Sequence, residues 1–357
     1  MSRFFSTRHA ALVPYTPGEQ PRDRQVVKLN TTESPYPPAP AVWAAAERES
    51  RALQLYSDPE CTALRAAAAK VYDVTPENLL AVNGSDEALS FAFLAFCDET
   101  HPMAFPDITY GFYPVFAAIH RVPTHVIPVD GNLQIRPEDY VGLGENLVLA
   151  NPNAPTGQLL APAEIETIAR SNPDSVVIVD EAYIDFGGES CVPLTKELDN
   201  LLVIQTFSKS RSMAGARLGF AIGNEALIRD LNTIKYSTNP YNVNRMTQAA
   251  GTAALEENEY YMANCRQIAA TRDQTAAGLE ELGFSVLPSA ANFLFARREG
   301  LGGGEFYRAL RNRGVLVRWF DQPRIRDYVR VTVGSPEQME IFLTETRAIL
   351  NERSERP

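Results

Sequence analysis

Ser208, Lys209 and Arg217 stand close together in a chain of 357 residues that holds only five lysines. The apolar run over 201–204 reads as a buried strand, which puts Lys209 just beyond a strand end. A lysine held there in apolar surroundings can lose its proton and act as an amine nucleophile. Ser208 and Arg217 are groups that grip a phosphate. Most lysines at strand ends simply face water. This one has a phosphate clamp beside it, and an amine that forms a Schiff base next to such a clamp suggests pyridoxal phosphate.

That cofactor makes further demands, and residues from separate parts of the chain meet them. Asp180 ends the apolar run over 175–179 and offers a carboxylate for the pyridine nitrogen. An unpartnered buried carboxylate would be costly, so its position asks for a partner. Tyr183, in Asp180-Glu-Ala-Tyr183, is suited to donate to the ring hydroxyl. The turn Asn83-Gly-Ser-Asp-Glu87 opens a helix over 86–96, with Ser85 as its expected cap. The Ser85 and Asp86 N–H groups, Ser208 and Arg217 together form a phosphate cup. Tyr110 is the aromatic residue to stack on the ring. Each signal is weak singly, and together they are specific.

Composition limits the alternatives. The formal net charge is -11, which argues against nucleic acid as the main partner. No apolar run reaches membrane length, and residues 1–10 lack the apolar core of a signal peptide. Cys61, Cys97, Cys191 and Cys265 are widely spaced, as expected of reduced cysteines in a cytoplasmic protein. The histidines, His9, His101, His120 and His125, have no metal-ligand spacing, so no metal is expected.

The elements that must position these residues alternate. Strands are expected over 79–82, 103–105, 124–128, 146–150, 175–179 and 201–204, with helices between them. The pattern predicts an α/β fold with a mainly parallel sheet flanked by helices. Every chemical motif follows a strand, where open α/β sheets bind ligands. Residues 1–40 are proline-rich and read as an arm with one short strand near 26–29, packing on a small domain or a partner. Residues 41–245 read as a large cofactor-binding domain. Residues 246–357 read as a smaller α+β domain, with helices over 266–282 and 305–313, strands over 284–287, 292–296, 315–318 and 328–333, and a capping box at Ser335.

With these motifs in hand, the chain resembles the fold-type I pyridoxal-phosphate aminotransferases. Within them it is similar to the histidinol-phosphate aminotransferases. The most specific matches are Asn83-Gly-Ser-Asp-Glu87, Asn151-Pro-Asn-Ala-Pro-Thr-Gly157, Asp180-Glu-Ala-Tyr183 and Ser208-Lys209 with Arg217. The resemblance implies a homodimer with shared active sites, in which Tyr56 reaches the cofactor phosphate of the neighbouring subunit. It implies that Arg330 grips the substrate's anionic group and that Arg318, Tyr15 and Tyr241 line the substrate pocket. It implies transamination between a small amino donor, histidinol phosphate, and 2-oxoglutarate. An aromatic amino-acid aminotransferase shares every cofactor motif, and a decarboxylase of a phosphorylated amino acid could use the same scaffold. Two positions depart from the family pattern. Ala154 replaces an asparagine that meets the ring hydroxyl, leaving Asn153 as its candidate substitute. Thr32 replaces an asparagine in the arm.

Overall fold

The computed structural model describes residues 2–20 and 26–354, so residues 21–25 of the expected arm lie outside the described residues. The central sheet has seven strands. In spatial order they are Leu79–Val82, Gly219–Gly223, Leu201–Thr206, Val177–Asp180, Asn146–Ala150, Met103–Pro106 and Thr124–Ile127. Neighbours run parallel except Gly219–Gly223, which is antiparallel to both strands beside it.

Helices cover both faces, so the inner strands are buried at every position and read as apolar runs rather than alternating ones. The period of two still sorts their side chains. Leu147, Leu149, Val177, Val179, Leu201 and Val203 join one apolar cluster. Val148, Ala150, Ile178, Leu202 and Ile204 join another on the opposite face. The parallel register sets Ala150 beside Asp180 and Asp180 beside Ile204. The segments after these strands therefore leave from one edge of the sheet.

A four-stranded antiparallel sheet, Arg318–Trp319, Tyr328–Thr332, Phe293–Arg297 and Ser285–Val286, builds a second core around Phe293, Phe306 and Phe342. The arm strand Val27–Lys28 pairs in parallel with Val315–Leu316. No helix among the described residues is long and apolar enough to cross a membrane.

Several elements differ from the sequence reading. The strand expected over 315–318 splits, one half pairing with the arm and the other joining the small sheet. The helix expected from residue 266 starts at Asn258, because no proline or glycine interrupts the turns before it. Helices Glu225–Thr238 and Arg245–Glu256 carry asparagine caps, Asn224 and Asn244, whose side chains accept from Ala226 N and Thr247 N. The second of these packs Ala250, Ala253 and Ala254 into the same cluster as Val42, Ala45 and Leu64. Ser85 is the first helical residue and not the cap. Gly84 takes that place at φ 79°, where a Cβ would meet the Arg217 guanidinium at 2.5 Å.

Candidate functional site

A cavity of about 200 Å³ opens at the sheet edge where the parallel strands end. Lys209 reaches it from a loop that is closed on itself. Phe207 N donates to Leu218 O (2.9 Å), Met213 N to Phe207 O (3.0 Å), and Ser208 N to Thr206 Oγ1 (3.2 Å). Phe207 anchors the loop in the core. The Lys209 amine donates to Thr32 Oγ1 at 2.6 Å and to Thr31 O at 3.1 Å.

Asp180 is the last residue of its strand and points to the same face as Ile178. Tyr113, fully buried on that face, donates to Asp180 Oδ2 at 2.9 Å. Asp180 Oδ1 is buried and has no hydrogen-bond partner among the described residues. Burial pushes this carboxyl up to about 6, opposed by the Tyr113 hydrogen bond. Glu181, on the other face, is pushed up to about 7 by burial. It is fully occupied, accepting from Ser190 Oγ (2.6 Å), Cys191 N (2.6 Å) and Gln205 Nε2 (2.8 Å). Of two adjacent buried carboxyls, only Asp180 keeps an oxygen open to the cavity.

The helix Ser85–Phe96 starts at the opposite end of the cavity, and Ser85, Asp86, Ser208 and Arg217 all line it. Gly219 lets the lysine strand's neighbour lie against this helix start: a Cβ there would sit 2.9 Å from Ser85 N. Arg217 donates to Ser208 Oγ (3.3 Å) and to Asp86 Oδ2 (3.2 Å). Tyr110 donates to Asp86 Oδ1 at 2.9 Å, which fixes its ring beside the cavity.

A second cleft of about 530 Å³ continues from Lys209 and Tyr183 towards Arg318 and Arg330. Arg330 is held between the rings of Phe293 (5.2 Å) and Phe320 (5.7 Å). It donates from Nη2 to Asn30 O (3.2 Å), while its buried Nε has no partner among the described residues. Burial pulls its pKa below the ordinary guanidinium value. Arg318 donates to Thr16 O (2.9 Å) and Pro17 O (3.3 Å), clasping the arm, and Tyr15 packs on Phe112 (4.9 Å). Three cations line this cleft, and no carboxylate is among its described lining residues.

The chain matches the family model for aminotransferase class I and II over residues 24–345. It belongs to the class I and II aminotransferases. It is 46% identical over 355 residues to the histidinol-phosphate aminotransferase of Aromatoleum aromaticum, covering 98% of this chain and 100% of that one. It is 48% identical over 338 residues to histidinol-phosphate aminotransferase 1 of Bradyrhizobium diazoefficiens, covering 95% and 97%. Its fold is that of the solved histidinol-phosphate aminotransferase of Sinorhizobium meliloti in complex with pyridoxal-5′-phosphate (TM-score 0.81, 21% identity, 90% and 91% covered).

The cofactor of this aminotransferase is pyridoxal 5′-phosphate, and its own residues fit that group. The open Asp180 Oδ1 suits a protonated ring nitrogen. The helix start with Ser208 and Arg217 suits a phosphate. Tyr110, Ala182, Tyr183 and Lys209 all line the cavity that would take the ring.

Of the residues expected in the site, Ser85, Asp86, Tyr110, Asp180, Tyr183, Ser208, Lys209 and Arg217 line the first cavity. Tyr15, Arg318 and Arg330 line the second. Asn153 is a correction. Its amide accepts from Thr109 Oγ1 (2.8 Å) and donates to Ile108 O (2.9 Å) and Thr156 Oγ1 (3.1 Å), so it braces loops and lines neither cavity. Ala154 faces both cavities in its place. Tyr56 and Tyr241 lie outside both, stacked on each other at 4.5 Å with Tyr56 81% exposed. The sequence reading missed Tyr113 and the contacts of Thr32. Local spacing marks neither, and the helix that carries Tyr113 begins only at that residue.

Proposed function

We propose that this aminotransferase moves the amino group of histidinol phosphate to 2-oxoglutarate, giving imidazole acetol phosphate and glutamate. The observation that carries this reading is the cleft beside Lys209, lined by Arg318 and Arg330 with no carboxylate among its described lining residues. Histidinol phosphate has a phosphate and no α-carboxylate, whereas glutamate has two carboxylates. One site must accept both in turn, and a planar guanidinium bonds either kind of anion. The curated relatives named histidinol-phosphate aminotransferases match at 46% and 48% identity over nearly the whole chain, which supports the same substrate.

Pyridoxal phosphate, when bound, carries the amino group between the substrates and takes up the electrons released as the Cα–H bond breaks. Lys209 would be the residue to which it attaches and, once free, the base for the Cα proton. Asp180 Oδ1 would face the ring nitrogen, with its partner Tyr113 holding the carboxyl in place. Tyr183 would serve the ring hydroxyl, and Tyr110 would pack against the ring. The Ser85 and Asp86 N–H groups, Ser208 and Arg217 would hold the phosphate. Arg330 and Arg318 draw the substrate anion in, with Tyr15 of the arm, packed on Phe112, beside them in the cleft.

We also infer a homodimer with shared sites. Tyr56, Leu53 and Leu55 form an exposed apolar patch, with Tyr56 stacked on Tyr241. In the dimer Tyr56 serves the partner's site, with Tyr241 stacked on it. The division into an arm over 1–40, a cofactor-binding unit over 41–245 and a smaller unit over 246–357 fits the seven-stranded sheet, the four-stranded sheet and the two-stranded pairing of the arm. Four free cysteines fit work in the cytoplasm.

The test is single-turnover absorbance of the holoprotein mixed with histidinol phosphate, phenylalanine or glutamate. Histidinol phosphate and glutamate should each convert the bound cofactor. Faster conversion by phenylalanine than by histidinol phosphate would make this an aromatic amino-acid aminotransferase.

A further inference from the structure

Thr32 has a backbone that its side chain disfavours. It is a β-branched residue at φ 56°, in the left-handed region, and it is buried. Two side chains from the far end of the chain hold it there. Its N–H donates to Thr332 Oγ1 at 3.0 Å, and its carbonyl accepts from Asn292 Nδ2 at 3.0 Å. A strained residue pinned this firmly invites the question of what its side chain does.

The Thr32 hydroxyl uses all of its hydrogen-bonding capacity. It donates to Thr31 O at 2.7 Å, accepts from Lys209 Nζ at 2.6 Å, and lies 3.2 Å from the Tyr183 hydroxyl. With its one proton on Thr31, its lone pairs face the Lys209 amine and the Tyr183 phenol of the cofactor-free cavity. The Thr31 carbonyl accepts from the same amine, so the arm offers Lys209 two acceptors side by side.

We propose that Thr32 is a positioning residue for Lys209 and Tyr183, and that the strained arm backbone exists to place its hydroxyl between them. This rests on the reading of Lys209 as the cofactor's amine. An amine that is bonded in one part of a reaction cycle and free in another needs a fixed resting point within reach of the reacting carbon. Thr31 O and Thr32 Oγ1 supply it. The shared hydroxyl also ties the amine's position to that of the phenol, so the arm sets both at once.

Three substitutions separate the hydroxyl from the backbone. Thr32→Ser keeps the hydroxyl. Thr32→Val keeps the shape and loses it. Thr32→Gly loses it and accepts φ 56° without strain. The first readout is competitive acetic anhydride labelling of the cofactor-free protein, with Lys209 compared against exposed Lys70 by mass spectrometry. Thr32→Val and Thr32→Gly should raise Lys209 labelling roughly 2- to 10-fold, the range one lost hydrogen bond gives, and Thr32→Ser should match wild type. The second readout is the amine-transfer half-reaction. Both hydroxyl-free variants should lose about 10-fold or more in kcat with little change in KM, again with Thr32→Ser near wild type.

Wild-type labelling and rates in folded Thr32→Val and Thr32→Gly would overturn the proposal. So would a defect in Thr32→Val that Thr32→Gly repairs, because shape and not the hydroxyl would then matter. A borohydride adduct mapped to a lysine other than Lys209 would instead remove the reading beneath it.

Discussion

Tyr113 donates a 2.9 Å hydrogen bond to Asp180 Oδ2, and both residues are buried. The bond leaves one carboxyl oxygen fixed and the other free to meet a ligand. It also leaves the cofactor-free protein with a half-satisfied buried acid. Burial raises that acid to about 6 from an ordinary 3.8. Its protonated form therefore stabilises the fold at low pH. That contribution is whole below about pH 4 and is lost as pH rises through 6.

Asp180→Asn removes this dependence. The cofactor-free variant should be more stable than wild type at pH 8, by about 3 kcal/mol at most, and close to wild type at pH 4. Urea unfolding at the two pH values measures the difference. The same difference at both would show that ionisation of Asp180 does not limit stability.

The same substitution should do the opposite to catalysis. Asp180→Asn should still bind cofactor and lose roughly 100-fold or more in kcat, with a smaller change in KM. An amide favours an unprotonated ring nitrogen, which is a poor electron sink. Near-normal turnover would mean that another group protonates the ring.

Borohydride reduction of the holoprotein should fix the cofactor to Lys209, as peptide mapping will read. The chain's other lysines, Lys28, Lys70, Lys196 and Lys235, should stay unmodified. Lys209 lines the cofactor cavity and they do not. An adduct on any of those four would end the assignment.

Arg330→Ala should slow amine transfer from histidinol phosphate and from glutamate alike, by about 2–4 kcal/mol in transition-state binding. Arg330 is half-buried with no carboxylate partner among the described residues, so without its guanidinium a substrate anion would be left unpaired. Arg318→Ala should cost more with the phosphorylated donor. Arg318 spends two of its donors on Thr16 and Pro17, so this loss includes a loosened arm. Single-turnover rates with the two donors decide the matter, and equal losses in Arg318→Ala would refute selective phosphate reading.

Inactive Lys209→Ala and inactive Tyr56→Ala chains, mixed to form hybrids, should recover activity. A shared site draws Lys209 from one chain and Tyr56 from the other, so a hybrid holds one intact site. Absence of recovery in hybrids confirmed by native mass spectrometry would mean that each chain carries a whole site.

The sequence by itself determined the sheet and its chemistry. The apolar runs over 175–179 and 201–204 reveal buried parallel strands, because helices cover both of their faces. The residues just past them then have to lie along one edge, and Lys209, Asp180, Tyr183 and Arg217 all line the first cavity. The tertiary structure alone decided which polar atoms are already spoken for. Asn153 looked like a ligand by type and place, yet three hydrogen bonds to Ile108, Thr109 and Thr156 withdraw it from the cavity. Tyr113 had no role assigned from sequence, yet its hydroxyl meets Asp180. Thr32 stood out only as a departure, yet its hydroxyl reaches Lys209 across 177 residues of sequence. Residue type sets what a side chain can bond, but long-range packing sets which partner it finds, and no local spacing carries that information.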